Sequence, residues 1–143
     1  MTIQVPITLS EGAVLPAYQS SGAAGLDLCS VEPVTLQPLE RALVATGLRV
    51  AIPEGFEGQV RPRSGLAIKK GISMVNSPGT IDSDYRGEIK VILINLSDTV
   101  VKLDRGERIA QLVFCPIARA TWDVVEDLER TGRGESGFGS TGT

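Results

Sequence analysis

Short runs rich in Val, Ile, Leu and Thr, parted by Gly, Pro, Asn and Asp, recur along nearly the whole chain, and they limit its fold more than any other feature. They are Ile3 to Leu9, Gly25 to Cys29, Pro33 to Leu36, Arg41 to Ile52, Gly58 to Pro62, Ile89 to Asn95, Val100 to Leu103, Arg108 to Ile117 and Trp122 to Val125. Branched side chains suit a pleated, half-buried surface, and turn residues at this spacing predict an all-β sandwich or barrel. Only Ser64 to Lys70 has helical character. There Ser64 is expected as N-cap and Gly71 as the left-handed stop, with Lys69 and Lys70 at the negative end of the helix dipole.

At 143 residues, with 42% apolar and 22% charged residues, the chain can bury a real core and is expected to form one domain. A net charge of −3 and a pI near 5.0 argue against direct nucleic-acid binding, which needs a basic surface to displace counterions. The opening MTIQVPITLS has neither a basic nor an apolar leader pattern, and no run approaches a membrane span. A cytoplasmic protein with two reduced thiols is the expectation. Residues 1–128 read as the β domain. Residues 129–143 carry five glycines in the last thirteen positions and read as a flexible arm.

In Glu88 to Asn95 one alternating face is Ile89, Val91, Leu93 and Asn95, and the other is Glu88, Lys90, Ile92 and Ile94. Both faces turn apolar toward its end, which fits either a subunit interface or a central strand of a monomer.

Three segments concentrate polar chemistry. Residues 76–88, NSPGTIDSDYRGE, place three acids, a Tyr and an Arg in a short turn between apolar runs. With no His in the chain, a Ser/His/Asp triad, a Cys/His pair and a His-based zinc site are excluded. Cys29 and Cys115 lack paired spacing, so a metal knuckle is excluded as well. A general base here is therefore expected to be a carboxylate, the group already deprotonated at neutral pH. In RPRSGLAIKKG, residues 61–71, free amides at a helix start, the Ser64 hydroxyl and Arg63 converge as a phosphate grip requires. In the tail, Arg133, Ser140, Thr141 and glycine amides can wrap phosphates, and Phe138 is costly to leave in water.

Five collinear stretches, AGLD (24–27), RPRSGLA (61–67), NSPGTIDSDYRGE (76–88), RGERIAQLVF (105–114) and RGESGFGSTG (133–142), resemble the motifs of the trimeric dUTPase family. The resemblance implies a jelly-roll-like β fold and a homotrimer whose active sites are shared between chains. It also implies Mg²⁺-assisted hydrolysis of dUTP to dUMP and pyrophosphate, limiting uracil incorporation into DNA and supplying dUMP for thymidylate synthesis. A dCTP deaminase and a nucleotide-gated binding module on the same fold are the alternatives.

Residue by residue, the resemblance makes Asp82 the general base that activates water toward the α-phosphorus, and Tyr85 the ring under the deoxyribose. Asn76 and the backbone of Gly79, Thr80, Ile81 and Asp82 would read uracil, with Lys90 beside the same ligand. Arg63, Ser64, Gly65 and Gln111 would hold phosphates. Asp27 would order water around Mg²⁺. In the arm, Arg133 would clamp phosphates together with Gly139 and Ser140, and Phe138 would stack on uracil as a lid. Strict alternation puts Arg108 and Gln111 on opposite faces unless a bulge intervenes, so Arg108 is given a structural role. Asp84 reads as a turn or salt-bridge residue. Ser136 stands where the family usually has Gly, which bears on the arm if that position is left-handed.

Overall fold

The structure, a computed structural model, describes residues 2–138. Ten strands and one helix follow in chain order: β1 (Ile7–Leu9), β2 (Leu26–Cys29), β3 (Val34–Leu36), β4 (Arg41–Val50), β5 (Phe56–Arg61), α1 (Ser64–Lys70), β6 (Ile72–Met74), β7 (Gly79–Ile81), β8 (Ile89–Asn95), β9 (Val101–Leu103) and β10 (Arg108–Pro116). They form two four-stranded sheets, ordered β1-β4-β8-β6 and β2-β10-β5-β7, and a β3-β9 ribbon. Every strand pairing is antiparallel. The expected all-β architecture is therefore present.

Period-two patterning builds the core. On β8, Ile89, Val91, Leu93 and Asn95 are buried, and Val44 on β4 lies directly opposite Val91. From the second sheet Leu28, Val60 and Leu112 join the same apolar cluster. The other face of β8 stays open within the chain: Lys90 is exposed, Ile92 and Ile94 are half-buried, and Leu43, opposite Ile92, is 60% exposed. A central strand buried on both faces within one chain is thus not what the structure contains. Asn95 is buried because all its polar capacity is met. Its amide donates to the Leu36 and Thr99 carbonyls at 3.0 and 2.8 Å, and its oxygen accepts from the Ser97 amide and hydroxyl at 2.9 and 2.7 Å.

Several expected boundaries move. Ile3 to Pro6 joins no ladder, and β4 ends at Val50, three residues before Pro53, whose ring cannot donate to a sheet. Trp122 to Val125 is not a strand. Trp122 and Val124 are 92% and 94% exposed, so the alternating pattern has no sheet to join within the chain. The N-cap of α1 is Arg63 rather than Ser64: the Arg63 carbonyl accepts the first helical bond from Ala67 at 3.0 Å, and no side chain caps the helix. Gly71 stops it in the left-handed conformation, with φ 65°.

The largest departure lies between β6 and β8. These strands pair, Met74 opposite Leu93, so the flanks do form an antiparallel pair. The chain between them does not simply turn. It crosses to the other sheet, where β7 pairs with β5 through Gly58–Ile81, Gln59–Thr80 and Val60–Gly79. A three-residue strand that begins at Gly79, directly after Pro78, is indistinguishable from turn sequence, and only its long-range partner makes it a strand.

Candidate functional site

The excursion from β6 through β7 to β8 encloses a cavity of about 270 Å³. Asn76, Gly79, Thr80, Ile81, Asp82, Tyr85 and Lys90, all singled out from the sequence, line it. Leu43, Val60, Met74, Ile89 and Ile92 give it an apolar floor. Asn76 packs close over Gly79, where a Cβ would lie 2.8 Å from Asn76 Nδ2 and push that amide aside. A tight turn follows β7, closed by the Tyr85 amide donating to the Asp82 carbonyl at 3.1 Å. Asp84 sits in that turn and is exposed. Among the described residues no hydrogen bond or ion pair engages the Asp82 carboxylate, so its lone pairs are available to a ligand or water. The Tyr85 hydroxyl donates to the Glu88 carbonyl at 3.0 Å.

A second polar group forms where β2 and β10 pair. The Asp27 side chain is 8% exposed and is held by two guanidinium groups: Arg63 Nε donates to Oδ1 at 3.1 Å and Arg108 Nη1 to Oδ2 at 3.2 Å. Arg63 also donates through Nη1 to the Arg108 carbonyl at 3.2 Å. Gln111 lies directly opposite Asp27 in the ladder, so the two share a face. The register shifts between Arg108 and Ala110, and Ile109 and Ala110 are both buried in succession. This bulge removes the expected opposition of faces and lets Arg108 reach the same carboxylate that Gln111 faces.

Ser64 and Gly65 are exposed at the start of α1, beside Arg63. On the far side of the helix Lys70 donates to Glu107 at 2.7 Å. Burial pulls the Glu107 carboxyl upward, but hydrogen bonds from Lys70 and the Asp104 amide, with the charges of Lys70 and Arg63, outweigh it and hold it below its ordinary value. Burial pushes the Cys29 thiol up, the Asp27 charge adds to this, and Arg108 and Arg63 oppose it. Cys29 is therefore held as a neutral thiol, unsuited to nucleophilic work.

Among the described residues no group of three or more His, Cys, Asp or Glu side chains could ligate a metal, and each Asp27 oxygen already accepts from an arginine. Such a donor set fits only a hard ion that keeps its own waters and gains the rest of its shell from a ligand.

Residues 117–136 and 138 are all exposed. Arg133 Nε donates to the Ser136 carbonyl at 2.8 Å, and Phe138 is fully exposed. The left-handed residues there are Gly134, φ 55°, and Phe138, φ 50°, so Ser136 carries no left-handed strain. Gly139 and Ser140 lie outside the described residues. Sequence reasoning gave no role to Glu88 beyond its charge, nor to Leu43 in the cavity floor. It also passed over Gly47, although an isolated glycine inside an apolar strand is a signal for a bulge.

A family model described as dUTPase matches residues 11–142. The chain is 62% identical over 128 residues to the deoxyuridine 5'-triphosphate nucleotidohydrolase of Anaeromyxobacter sp. (strain Fw109-5), covering 90% of this chain and 87% of that protein. It superposes on the Staphylococcus bacteriophage 80alpha dUTPase bound to dUPNHPP with a TM-score of 0.92 and 32% identity, over 99% of this chain and all of that one. A dUTPase mutant from phage phi11 of S. aureus, whose structure concerns the coordination of a structural Mg(II) ion, matches with a TM-score of 0.83 and 27% identity, over 90% of this chain and 100% of that one.

Proposed function

The chain belongs to the dUTPase family and is a dUTP diphosphatase, and from that premise we propose that it hydrolyses dUTP by direct attack of an Asp82-activated water on the α-phosphorus. The observation that carries this reading is the cavity between β6, β7 and β8, with the unengaged Asp82 carboxylate on its lining. Asp82 accepts the proton of a water, whose oxygen bonds to the α-phosphorus as the bond to the pyrophosphate oxygen breaks. No covalent intermediate is needed, in keeping with a neutral Cys29 and a chain without His.

Asn76 and the backbone of Gly79 to Asp82 read the uracil edge, in a pocket too tight for the thymine methyl. Tyr85 lies under the deoxyribose and leaves no room for a 2′-hydroxyl, while Lys90 borders the same ligand. Arg63, Ser64, Gly65 and Gln111 take the phosphates. Mg²⁺ would be held by the phosphates and its own waters, with Asp27 ordering those waters, and when bound it supplies neutralisation of phosphate charge.

The distribution of these groups supports a shared site. None of Asp27, Arg63, Arg108 and Arg133 lines the cavity that holds Asp82 and Tyr85, whereas one triphosphate would touch all of these groups. A homotrimer in which different chains supply them resolves this, and the open face of Leu43, Ile92 and Ile94 suits burial in such an assembly. Residues 129–143 act as an arm on the 1–128 domain, bringing Arg133, Gly139 and Ser140 to the phosphates and Phe138 over the base, and excluding bulk water. A cytoplasmic location accords with this substrate.

The test is pyrophosphate release from dUTP beside dTTP, dCTP and UTP with Mg²⁺ present, for the native chain and Asp82→Asn. Only dUTP should turn over appreciably, and the variant should bind dUTP while losing at least ~10²-fold in rate. Near-normal turnover by Asp82→Asn would place the base elsewhere.

A further inference from the structure

Tyr85 has little of its own to hold it. The residue is 46% exposed, its ring folds back over Gly87, where a Cβ would lie 2.2 Å from the hydroxyl, and its polar anchor is the Glu88 carbonyl. The ring therefore inherits its position from the backbone at residues 87 and 88. That backbone is tied to β4 by a second bulge, where the register against β8 jumps from Ala45–Lys90 to Leu48–Ile89. The two residues left over, Thr46 and Gly47, both reach across. Thr46 Oγ1 donates to the Ile89 carbonyl at 2.5 Å, and the Gly47 amide donates to Glu88 Oε1 at 2.8 Å.

The Gly47 contact is unlike a surface ion pair. Gly47 is buried, at φ 71°, and a Cβ there would lie 2.3 Å from Ser10 Oγ, so the position admits glycine alone. Its carbonyl accepts from the Ser10 amide at 2.8 Å, which fixes the peptide from the other side. Without Glu88 the bulge amide has no partner among the described residues, and an unpaired buried donor is costly. The other oxygen of Glu88 lies 3.9 Å from Lys90 Nζ, too long for a strong bond and half open to water. The side chain is thus committed to the bulge.

We propose that Glu88 is a positioning residue for sugar discrimination: seated on the Gly47 amide, its side chain holds the carbonyl that anchors the Tyr85 hydroxyl, and so sets the ring against the 2′ position of the nucleotide. This rests on the reading of Tyr85 as the deoxyribose platform. Glu88 itself lines the cavity, but its side chain is spent on the Gly47 amide, so the source of specificity it adds is the bulge of β4 acting through the Tyr85 ring.

The test compares kcat/KM for dUTP and UTP in three substitutions at residue 88, with Tyr85→Ala as reference. Glu88→Gln keeps an oxygen for the Gly47 amide and loses the charge. Glu88→Asp keeps the charge and falls one methylene short, and Glu88→Ala loses both. The dUTP preference should fall by about tenfold in the Asp and Ala variants and stay within about twofold of native in the Gln variant. In a Tyr85→Ala background, Glu88→Ala should change the preference by no more than about twofold, because both act through one ring. If Tyr85→Ala abolishes the preference but the Asp and Ala variants keep it, or lose activity on both nucleotides equally, Glu88 is structural and the proposal falls. A Gln variant as impaired as Ala overturns it too, since charge rather than the bulge contact would then matter. If Tyr85→Ala itself leaves the preference intact, the platform reading fails first and takes this inference with it. Should Glu88→Ala not fold, the contrast between Asp and Gln decides the matter alone.

Discussion

Replacing Asp27 by Asn tests how much of the site is held by one carboxylate. The exchange is nearly isosteric, so the cost comes from hydrogen bonding and charge rather than from a cavity. In the native chain each carboxylate oxygen accepts from one guanidinium, at 3.1 and 3.2 Å, and the side chain is 8% exposed. An amide keeps one acceptor and turns its NH₂ toward a second donor, so one arginine loses its partner. Arg108 is 51% exposed and can return to water, so its bond is worth about 0.5 kcal/mol. Arg63 is 21% exposed and also bound to the Arg108 carbonyl, and its charge-assisted bond is worth about 2 kcal/mol. The amide oxygen can stay on Arg63 while Arg108 returns to water, so the loss is that ~0.5 kcal/mol plus the charge-assisted share of the Arg63 bond, about 1–2 kcal/mol in all, or roughly 3–6 °C in the unfolding midpoint at fixed protein concentration. Urea or thermal unfolding of Asp27→Asn, Arg63→Ala, Arg108→Ala and the two doubles measures each coupling separately. Coupling to Arg108 stronger than to Arg63, or a cost for Asp27→Asn below about 0.5 kcal/mol, would refute this account of the cluster.

Asn95→Leu should cost about 2 kcal/mol in urea unfolding, because the apolar side chain leaves the buried Leu36 carbonyl and the part-buried Ser97 amide without their partner, while the Thr99 carbonyl keeps the Ser97 hydroxyl. A loss under about 1 kcal/mol would show that these groups find other partners. Glu107 binds its proton more weakly folded than unfolded, so its contribution is present above its ordinary value of 4.5 and fades as pH falls through the lowered folded value. Glu107→Gln should therefore lower the unfolding midpoint near neutral pH and leave it unchanged in strong acid, and an equal loss at both would contradict this. Chains lacking residues 131–143 and chains carrying Asp82→Asn should each be nearly inactive alone yet regain activity when co-refolded, if arm and base at one site come from different subunits. Mixed trimers confirmed by mass without recovery would place both in one chain.

How far the fold could be read from sequence depended on whether a pattern was local. In β8 the strict alternation of Ile89, Val91 and Leu93 names its own buried face, and Gly71 stops α1 because nothing but its own backbone is involved. Trp122 to Val125 has the same alternation and forms no strand, since a pattern states a preference for a face and cannot supply a sheet. β7 erred the other way. Its residues look like turn, and Gly79, Thr80 and Ile81 become a strand only because the edge of β5 lies within reach.

The same division runs through the site. Residues with the chemistry of a site stand out in sequence because that chemistry is expensive elsewhere: an acid, an aromatic ring and a guanidinium crowded into turns have few structural reasons to be there. Residues that aim them leave almost no trace. Arg108 was set aside because strict alternation points it away from Gln111, and one extra residue in β10 reverses that conclusion. Gly47 and Glu88 are forty-one positions apart and meet only because two residues bulge out of β4. A bulge changes neither composition nor charge, yet the one extra residue in β10 moves the side chains beyond it to the opposite face, and the two extra residues in β4 turn a peptide out of the ladder toward Glu88. Bulges in β4 and β10 thus bring Glu88 and Arg108 to the backbone and carboxylate they hold, which is why groups so plainly legible one by one could be joined only through the register of the sheets.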